Sequence, residues 1–524
     1  MITNKQTSAA ISAVAASSAR RRTAAVLDAC DRFAAALVGV MAGGYFVLFT
    51  RMSIYWRDNL RWGFDSIVDT QPIWNTAHGR ILEVSVYTWT NSRLGQDFTL
   101  IEIPLAPLYW LLGGNVAVIL VQTGTIALGG TGVYALARHL LPTIRPGICA
   151  LFSALYLSLL FIQSTNLSQF RSRNTIMWTF FFAWLAYKNG RTRLLWAMFL
   201  VALLTRSDVS LVIAMFGVYA LIDRRKWPVS WLPILVGVGW FFVAVYLVVP
   251  HFSTAGYIYE DHYAWLGGGV TGIISSMITR PLYVARAVLA AAKLRYLFDL
   301  LFPFAFLPLL KPRILLIPLP IVLLNLLSAF PPQVSITSHY QALIVPFLTI
   351  AALEAVADIV ARTGPPGRRV GALADRVSGR FAWSRASATA TALVGLMLLC
   401  SLIQQETTTT NWVQSYLRHH GPNTRADAGR ALIRQVPNDA PLAITQQLAG
   451  NTPDRRYVYM FPGDPLYHSP SLVDRADYII GDEQLGTFEQ EAIMRYRDDP
   501  AWRVVDERGG FVLFRRIQPH GGGA

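Results

Sequence analysis

The chain has 524 residues and a net charge of +15, yet 53% of it is hydrophobic, only 15% is charged and the mean hydropathy is +0.38. An ordinary soluble domain is about one quarter charged, so this composition excludes a soluble globular enzyme. The Lys and Arg residues sit in short clusters between apolar runs, which is the pattern of a multi-pass membrane protein and excludes a nucleic-acid-binding module.

Residues 1–30, MITNKQTSAAISAVAASSARRRTAA and the five that follow, are Ala/Ser-rich and basic and contain no short apolar core with a small-residue cleavage site. They read as a disordered cytoplasmic tail before an uncleaved first helix. With Arg20, Arg21 and Arg22 holding this tail in the cytoplasm, Asp31 to Thr50 crosses outward and residues 51–112 form the first extracytoplasmic loop. Within that loop Ile103 to Leu112 is too short to span and contains two prolines, so it reads as an interfacial or re-entrant helix.

Asn115 to Ala137, Pro146 to Gln163 and Thr175 to Tyr187 then cross in turn. Leu194 to Thr205 and Val209 to Ile222 form a hairpin with the tip TRSD, and Pro228 to Val249 crosses outward. Residues 251–295 form a second extracytoplasmic segment with the string HFSTAGYIYEDHYAW. Tyr296 to Leu310, Ile314 to Leu327, Ala342 to Val360 and Ala388 to Ser401 complete the crossings, with the basic loop RTGPPGRRVGALADRVSGRFAWSR before the last. The expected fold is a polytopic α-helical domain over residues 31–403 with about eleven transmembrane helices, which leaves the C-terminus outside. Residues 404–524 alternate helix and strand patterns and read as a small extracytoplasmic α/β domain. The three cysteines, Cys30, Cys149 and Cys400, fall at or inside apolar runs and indicate neither a disulfide framework nor a zinc site.

Chemistry is expected in the polar loop of about sixty residues from Arg51 to Trp110, because long segments without a pattern of their own are commonly functional. Its acids include Asp58, Asp65, Asp69, Glu83, Asp97 and Glu102, with His78 between them. Such groups bind a divalent cation through oxygen or act as a general base on a hydroxyl, and singly they are also ordinary solvated acids. Asp65 stands out because Trp62 and Phe64 frame it and an amphipathic helix bearing Trp74 follows, an arrangement that holds an acid at headgroup depth. At the hairpin tip, Arg206 with Asp208, and Arg171 and Arg173 on the preceding outer loop, form either snorkelling charges or an anion site, since Arg forks match phosphate oxygens. Tyr259 and His262 in the aromatic string, and His339 with Tyr340 further on, read either as an aromatic belt or as contacts to a sugar or lipid.

The segments GFDSIVDTQPIWNTAHGR, GQDFTLIEIPLAPLYWLL, YALARHLL, LLTRSDVSLVIAMFGVYAL and SITSHYQALIVPFL together resemble the bacterial membrane-protein family catalogued as domain of unknown function 2079, over most of Arg61 to Val360. That family is similar to the GT-C glycosyltransferases, multi-helix membrane enzymes that use polyprenyl-phosphate sugars. The resemblance implies that Asp65 takes the place of the essential acid of the first outer loop. It also implies transfer of a sugar from a polyprenyl-phosphate donor to an acceptor at the outer face of the bacterial cytoplasmic membrane. Arg206, Arg173 and Arg171 would bind the donor phosphate; Asp97, His78, Asp69 and Asp208 would support a divalent cation, magnesium or manganese, or orient the donor. Trp62, Trp74, Tyr259, His262, His339 and Tyr340 would contact acceptor or lipid. The alternative is a transporter or lipid-binding scaffold without chemistry. The absence of an internal repeat and the gathering of polar residues at one face weigh against it.

Overall fold

In hydrocarbon every backbone N–H and C=O must be paired within its own segment, so long apolar runs fold as helices. The computed structural model describes residues 28–363, 384–408, 412–419, 421–452, 454–463 and 472–518. Residues 1–27 of the expected tail and most of the basic loop, residues 364–383, therefore lie outside the described residues, while residues 28–30, expected as disordered, are helical. In chain order the first helices are α1 (Ala34–Asp58), α2 (Asp65–Ala77), α3 (Glu102–Leu112), α4 (Asn115–Leu140), α5 (Pro146–Ser158) and α6 (Leu160–Leu167). Then come α7 (Met177–Lys188), α8 (Thr192–Leu203), α9 (Val209–Ile222) and α10 (Trp231–Phe252), the last containing a π-helical stretch at Val243–Val248. The central part continues with α11 (Gly269–Thr279), α12 (Pro281–Val288), α13 (Ala291–Leu301), α14 (Leu319–Leu327), α15 (Val345–Arg362) and α16 (Arg385–Thr407).

By length and composition α1, α4, α10 and α16 can cross a membrane, and α5 with α6, bent by 47° at Leu159, makes a fifth crossing if taken as one. By this measure the described residues show four or five of the expected eleven crossings. Several expected crossings are short or broken: α8 has 12 residues and α9 has 14. Past Leu301, Pro303 and left-handed Ala305 and Phe306 break the run expected from Tyr296 to Leu310. Helix α15 carries Glu354, Asp358 and Arg362. The first helix also runs on to Asp58, so the start of the expected loop is helical.

The C-terminal part supplies α17 (Trp412–His419), α18 (Thr424–Ile433), β1 (Leu442–Thr445), β2 (Val458–Phe461), β3 (Tyr478–Asp482), α19 (Thr487–Asp498), β4 (Trp502–Arg508) and β5 (Phe511–Arg516). The sheet order is β2-β1-β3-β5-β4, with β1 parallel to β2 and β3 and the β4–β5 hairpin antiparallel. YIIGD forms β3 at the centre of the sheet, where four of its five residues are buried.

The sheet's core is completed by the first polar segment. Phe64, Ile67 and Val68 of α2 and its approach pack in one cluster with Leu442, Ile444 and Leu448. Gln71 donates to the carbonyls of Arg455 and Arg456 at 3.2 and 2.8 Å, and Ser85 Oγ bridges the carbonyl and amide of Val458 at 3.0 and 2.9 Å. Gly450 lies so close to Trp62 that a Cβ there would come within 2.7 Å of the Trp62 Cβ, which is why no larger residue fits.

Candidate functional site

Helix α2 starts at Asp65 because Ser66 closes a turn on the Gly63 carbonyl through both its amide (3.1 Å) and its hydroxyl (2.8 Å). An acid in the first turn also suits the positive end of the helix dipole. Asp65 and Asp69, four residues apart, lie on one face, and Arg171 spans them, with Nη2 2.5 Å from Asp65 Oδ2 and Nη1 3.1 Å from Asp69 Oδ2. The other Asp69 oxygen accepts from Arg93 Nη2 at 2.7 Å, and Arg93 Nε donates to Glu102 Oε1 at 3.1 Å. Ser172 Oγ adds a bond to the same Glu102 oxygen at 2.9 Å. The loop bearing Arg171 is held by Gln122 of α4, which accepts from the Arg171 amide at 2.9 Å and donates to the carbonyls of Asn166 and Gln169.

A second chain of charges adjoins the first. Arg173 Nη1 lies 2.6 Å from Asp208 Oδ2, and Arg206 Nε lies 2.8 Å from Asp97 Oδ2 and 3.6 Å from Asp208 Oδ2. Asp97 is 1% exposed and accepts from the amides of Phe98 and Ser207 at 2.8 and 3.1 Å. The amides of Leu100 and Ile101 both donate to the Leu204 carbonyl at 2.7 Å, which pins the first polar segment to the hairpin tip. Four arginines and five carboxylates thus form two adjoining sets of ion pairs across three segments remote in sequence. Burial opposes charge at Glu102 most strongly and, against the attraction of Arg93, pushes its carboxyl up to about 8.

One end of this array opens into a cavity of about 100 Å³ lined by Arg173, Arg206, Asp208, Tyr257, Tyr259 and Tyr340, with His262 and Gln333 beside them and Phe241, Val245, Ile321 and Leu324 forming an apolar wall. The Arg206 guanidinium lies 4.7 Å from the centre of the Tyr259 ring and that of Arg173 lies 5.6 Å from Tyr340, both within cation–π range. Arg173 Nε and Nη2 and Asp208 Oδ1 are buried without a hydrogen-bond partner among the described residues. Burial pulls the Arg206 guanidinium down, but Asp97, Tyr259, Asp208 and Tyr257 together outweigh it and the net shift is upward. Burial, then the positive charges of Arg171, Arg173 and Arg206, hold the His339 imidazole well below its ordinary range, so it is neutral at pH 7. Burial also lowers His262, which stacks on Phe330 at 4.7 Å.

The residues singled out from the sequence divide into three groups. Arg173, Arg206, Asp208, Tyr259, His262 and Tyr340 share the cavity, and Asp97 stands behind Arg206. His339 stacks on Tyr340 at 4.4 Å. Asp65, Asp69 and Arg171 belong to the adjoining chain, and Asp65, with 53% of its side chain exposed, does not line the cavity. His78, Trp62 and Trp74 lie elsewhere. His78 caps the opposite end of α2, about 20 Å from Asp65 along the axis, with Nδ1 2.8 Å from the Trp74 carbonyl. Trp74 stacks on His78 at 4.2 Å and carries Arg80 on its ring at 5.1 Å. Trp62 is 1% exposed beneath Gly450 and is closed to an acceptor.

The expected cation set does not fit. Among the described residues no three His, Cys, Asp or Glu side chains gather as ligands. Asp69, Asp97 and Asp208 each face an arginine, which repels a cation, and His78 is a helix length away. Residues the sequence reading did not assign to the site are Arg93, Glu102 as its buried partner, Tyr257 and Gln333. Arg93 carried a signal: it stands between acids on both sides, with Asp97 four and Glu102 nine residues on, in an acid-rich loop.

The family model described as "Predicted membrane protein (DUF2079)" matches residues 61–513. No curated protein matches the chain. Among solved structures, ArnT from Cupriavidus metallidurans in the apo state is similar at 13% identity over 90% of this chain and 98% of that one, with a TM-score of 0.49. The same protein bound to undecaprenyl phosphate gives 13% identity, the same coverage and a TM-score of 0.47. The Archaeoglobus fulgidus oligosaccharyltransferase in the apo form gives 11% over 86% of this chain and 71% of that one, with a TM-score of 0.42. Structural likeness of this degree decides neither fold nor reaction.

Proposed function

The chain belongs to the DUF2079 family of predicted membrane proteins, and from that premise we propose that it is a GT-C-type glycosyltransferase. It moves a sugar from a polyprenyl-phosphate donor to an acceptor hydroxyl at the outer face of the cytoplasmic membrane. The observation that carries this reading is the pair Arg173 and Arg206 lining one aromatic cavity with an apolar wall, with the exposed acid Asp65 in a separate set of ion pairs whose Arg171 lies two residues from Arg173. Guanidinium forks suit a phosphate, tyrosine faces suit a sugar, and the apolar wall of Phe241, Val245, Ile321 and Leu324 suits the first isoprene units.

In the transfer the acceptor oxygen attacks the anomeric carbon and the bond from that carbon to the phosphate oxygen breaks. The electron pair leaves with the polyprenyl phosphate. Arg206 and Arg173 stabilise this developing charge, the contribution that fixed cations make best. Asp97 behind Arg206 keeps the guanidinium charged and oriented over Tyr259. Asp65 takes the acceptor proton on Oδ1, since Oδ2 is held by Arg171. No step is routed through a metal.

The test is binding of undecaprenyl phosphate to the purified chain in lipid nanodiscs. Saturable binding in the wild type and in Asp65→Ala, weakened at least tenfold in Arg206→Ala, supports the reading. Binding no greater than that of an unrelated membrane protein overturns it. A scaffold or transporter without chemistry is the second reading, and the observation in its favour is that Asp65 does not line the cavity.

A further inference from the structure

The far ends of α7 and α9, about 20 Å along their axes from Arg173 and Asp208, border a second cavity of about 320 Å³ that the proposed transfer does not use. Its polar walls come from Lys188 at the end of α7, Asp223 after α9, Lys311 and Arg313 at the short helix Pro312–Leu315 before α14, and Glu354 and Asp358 on α15. Lys188 Nζ lies 2.6 Å from Glu354 Oε1, which also accepts from Trp184 Nε1 at 3.0 Å. Lys311 Nζ lies 2.6 Å from Asp358 Oδ2, and the Tyr187 hydroxyl donates to Asp223 Oδ2 at 2.6 Å. Each carboxylate is therefore already engaged. Arg313 is exposed and has no ion-pair partner among the described residues.

The four bordering segments, residues 188–193, 223–226, 311–313 and 354–362, carry nine Lys and Arg against three Asp and Glu. That excess repels a cation and draws an anion. The rim of the cavity is apolar on one side: Ile222 and Leu310 line it, and Leu309 and Leu310 are 52% and 59% exposed. A soluble anion would leave that apolar strip unused, whereas a phospholipid uses both parts. Basic pockets between membrane helices are suited to lipid headgroups, and a volume near 300 Å³ is at the lower end for a ligand site.

We propose that this cavity holds the headgroup of an anionic phospholipid, with the phosphate diester on Arg313 and Lys311 and an acyl chain along Leu309 and Leu310. The site is separate from the transfer site, so the two proposals stand or fall independently. The test uses the full chain in nanodiscs of equimolar phosphatidylcholine and phosphatidylglycerol, followed by native mass spectrometry of the lipid that stays bound. The wild type is expected to retain phosphatidylglycerol in preference to phosphatidylcholine. Lys311→Gln with Arg313→Gln is expected to reduce that preference about tenfold, in line with the contribution of basic residues at an anionic surface. Arg313→Gln alone changes an exposed side chain, so it keeps the test decisive if the double variant fails to fold. Equal retention of the two lipids by the wild type, or unchanged preference in the variants, overturns the proposal. Displacement of retained phosphatidylglycerol by inorganic phosphate alone would assign the site to a soluble anion and overturn the lipid assignment.

Discussion

The two faces of α2 are held by opposite physics. One face gives Asp65 and Asp69 to Arg171 and Arg93, while the other gives Ile67 and Val68 to the core of the C-terminal sheet. The apolar face gains free energy in proportion to the area it buries, about 25 cal/mol per Å². The charged face gains little, because desolvating ions offsets most of their attraction, yet breaking it is costly because a stranded buried charge keeps the desolvation penalty. The sheet therefore fixes where α2 sits, and the ion pairs fix where its acid points.

This contrast can be broken at its sharpest point by Asp65→Ala. Transfer is expected to fall about 10²- to 10⁴-fold, the usual contribution of a general base. Stability, read by thermal unfolding in detergent, should stay within about 0.5 kcal/mol because the side chain is half exposed. Arg93→Met removes the one arginine on buried Glu102 and one of the two on Asp69, and should cost about 3–5 kcal/mol of stability. If that variant is as stable as the wild type, the charged face is not the interdependent array described above. On the apolar face Ile67→Ala should cost about 2–4 kcal/mol in the same measurement. Limited proteolysis should then cut first in the C-terminal sheet, since the two share a core.

The smallest effect concerns pH. The folded pKa of His339 lies below its unfolded value, so between the two the unfolded chain binds more protons and stability falls as the medium is acidified through about pH 6.5. His339→Gln should flatten that part of the wild-type profile. Burial drives Glu102 upward, against the opposing charge of Arg93, and this slopes the other way. The difference between wild type and variant, not the profile itself, is therefore the reading that counts.

Much of this was legible in the residues. The i, i+4 acids Asp65 and Asp69, the TRSD tip and the arginines at 171 and 173 stood out against apolar surroundings, and the structure puts Arg173 on Asp208 and Arg206 on Asp97. The strands from Leu442 to Arg516 followed their patterns because alternation and buried β-branched runs are local signals. Arg93 did not stand out, since its helix, Arg93–Gln96, is four residues long and its partners come from residues 69 and 102. The loop acids near His78 look like ligands in sequence, where their arginine partners, a hundred residues away, are not visible. Four or five spans are evident by length and composition among the described residues, because apolar runs around Pro303, Pro308 and Pro318 match a span in composition while their backbone turns. Docking of the sheet on α2 is a tertiary event with no local signature at all.

The measurement that bears most directly on the account is photo-cross-linking of a diazirine-bearing undecaprenyl phosphate to the full chain in nanodiscs, with the labelled peptides mapped. The account predicts label within residues 241–273 and 321–340, the walls of the aromatic cavity, competed by unlabelled undecaprenyl phosphate and lost in Arg206→Ala. Label spread evenly over the membrane-facing helices, or unaffected by the competitor and by Arg206→Ala, would contradict it.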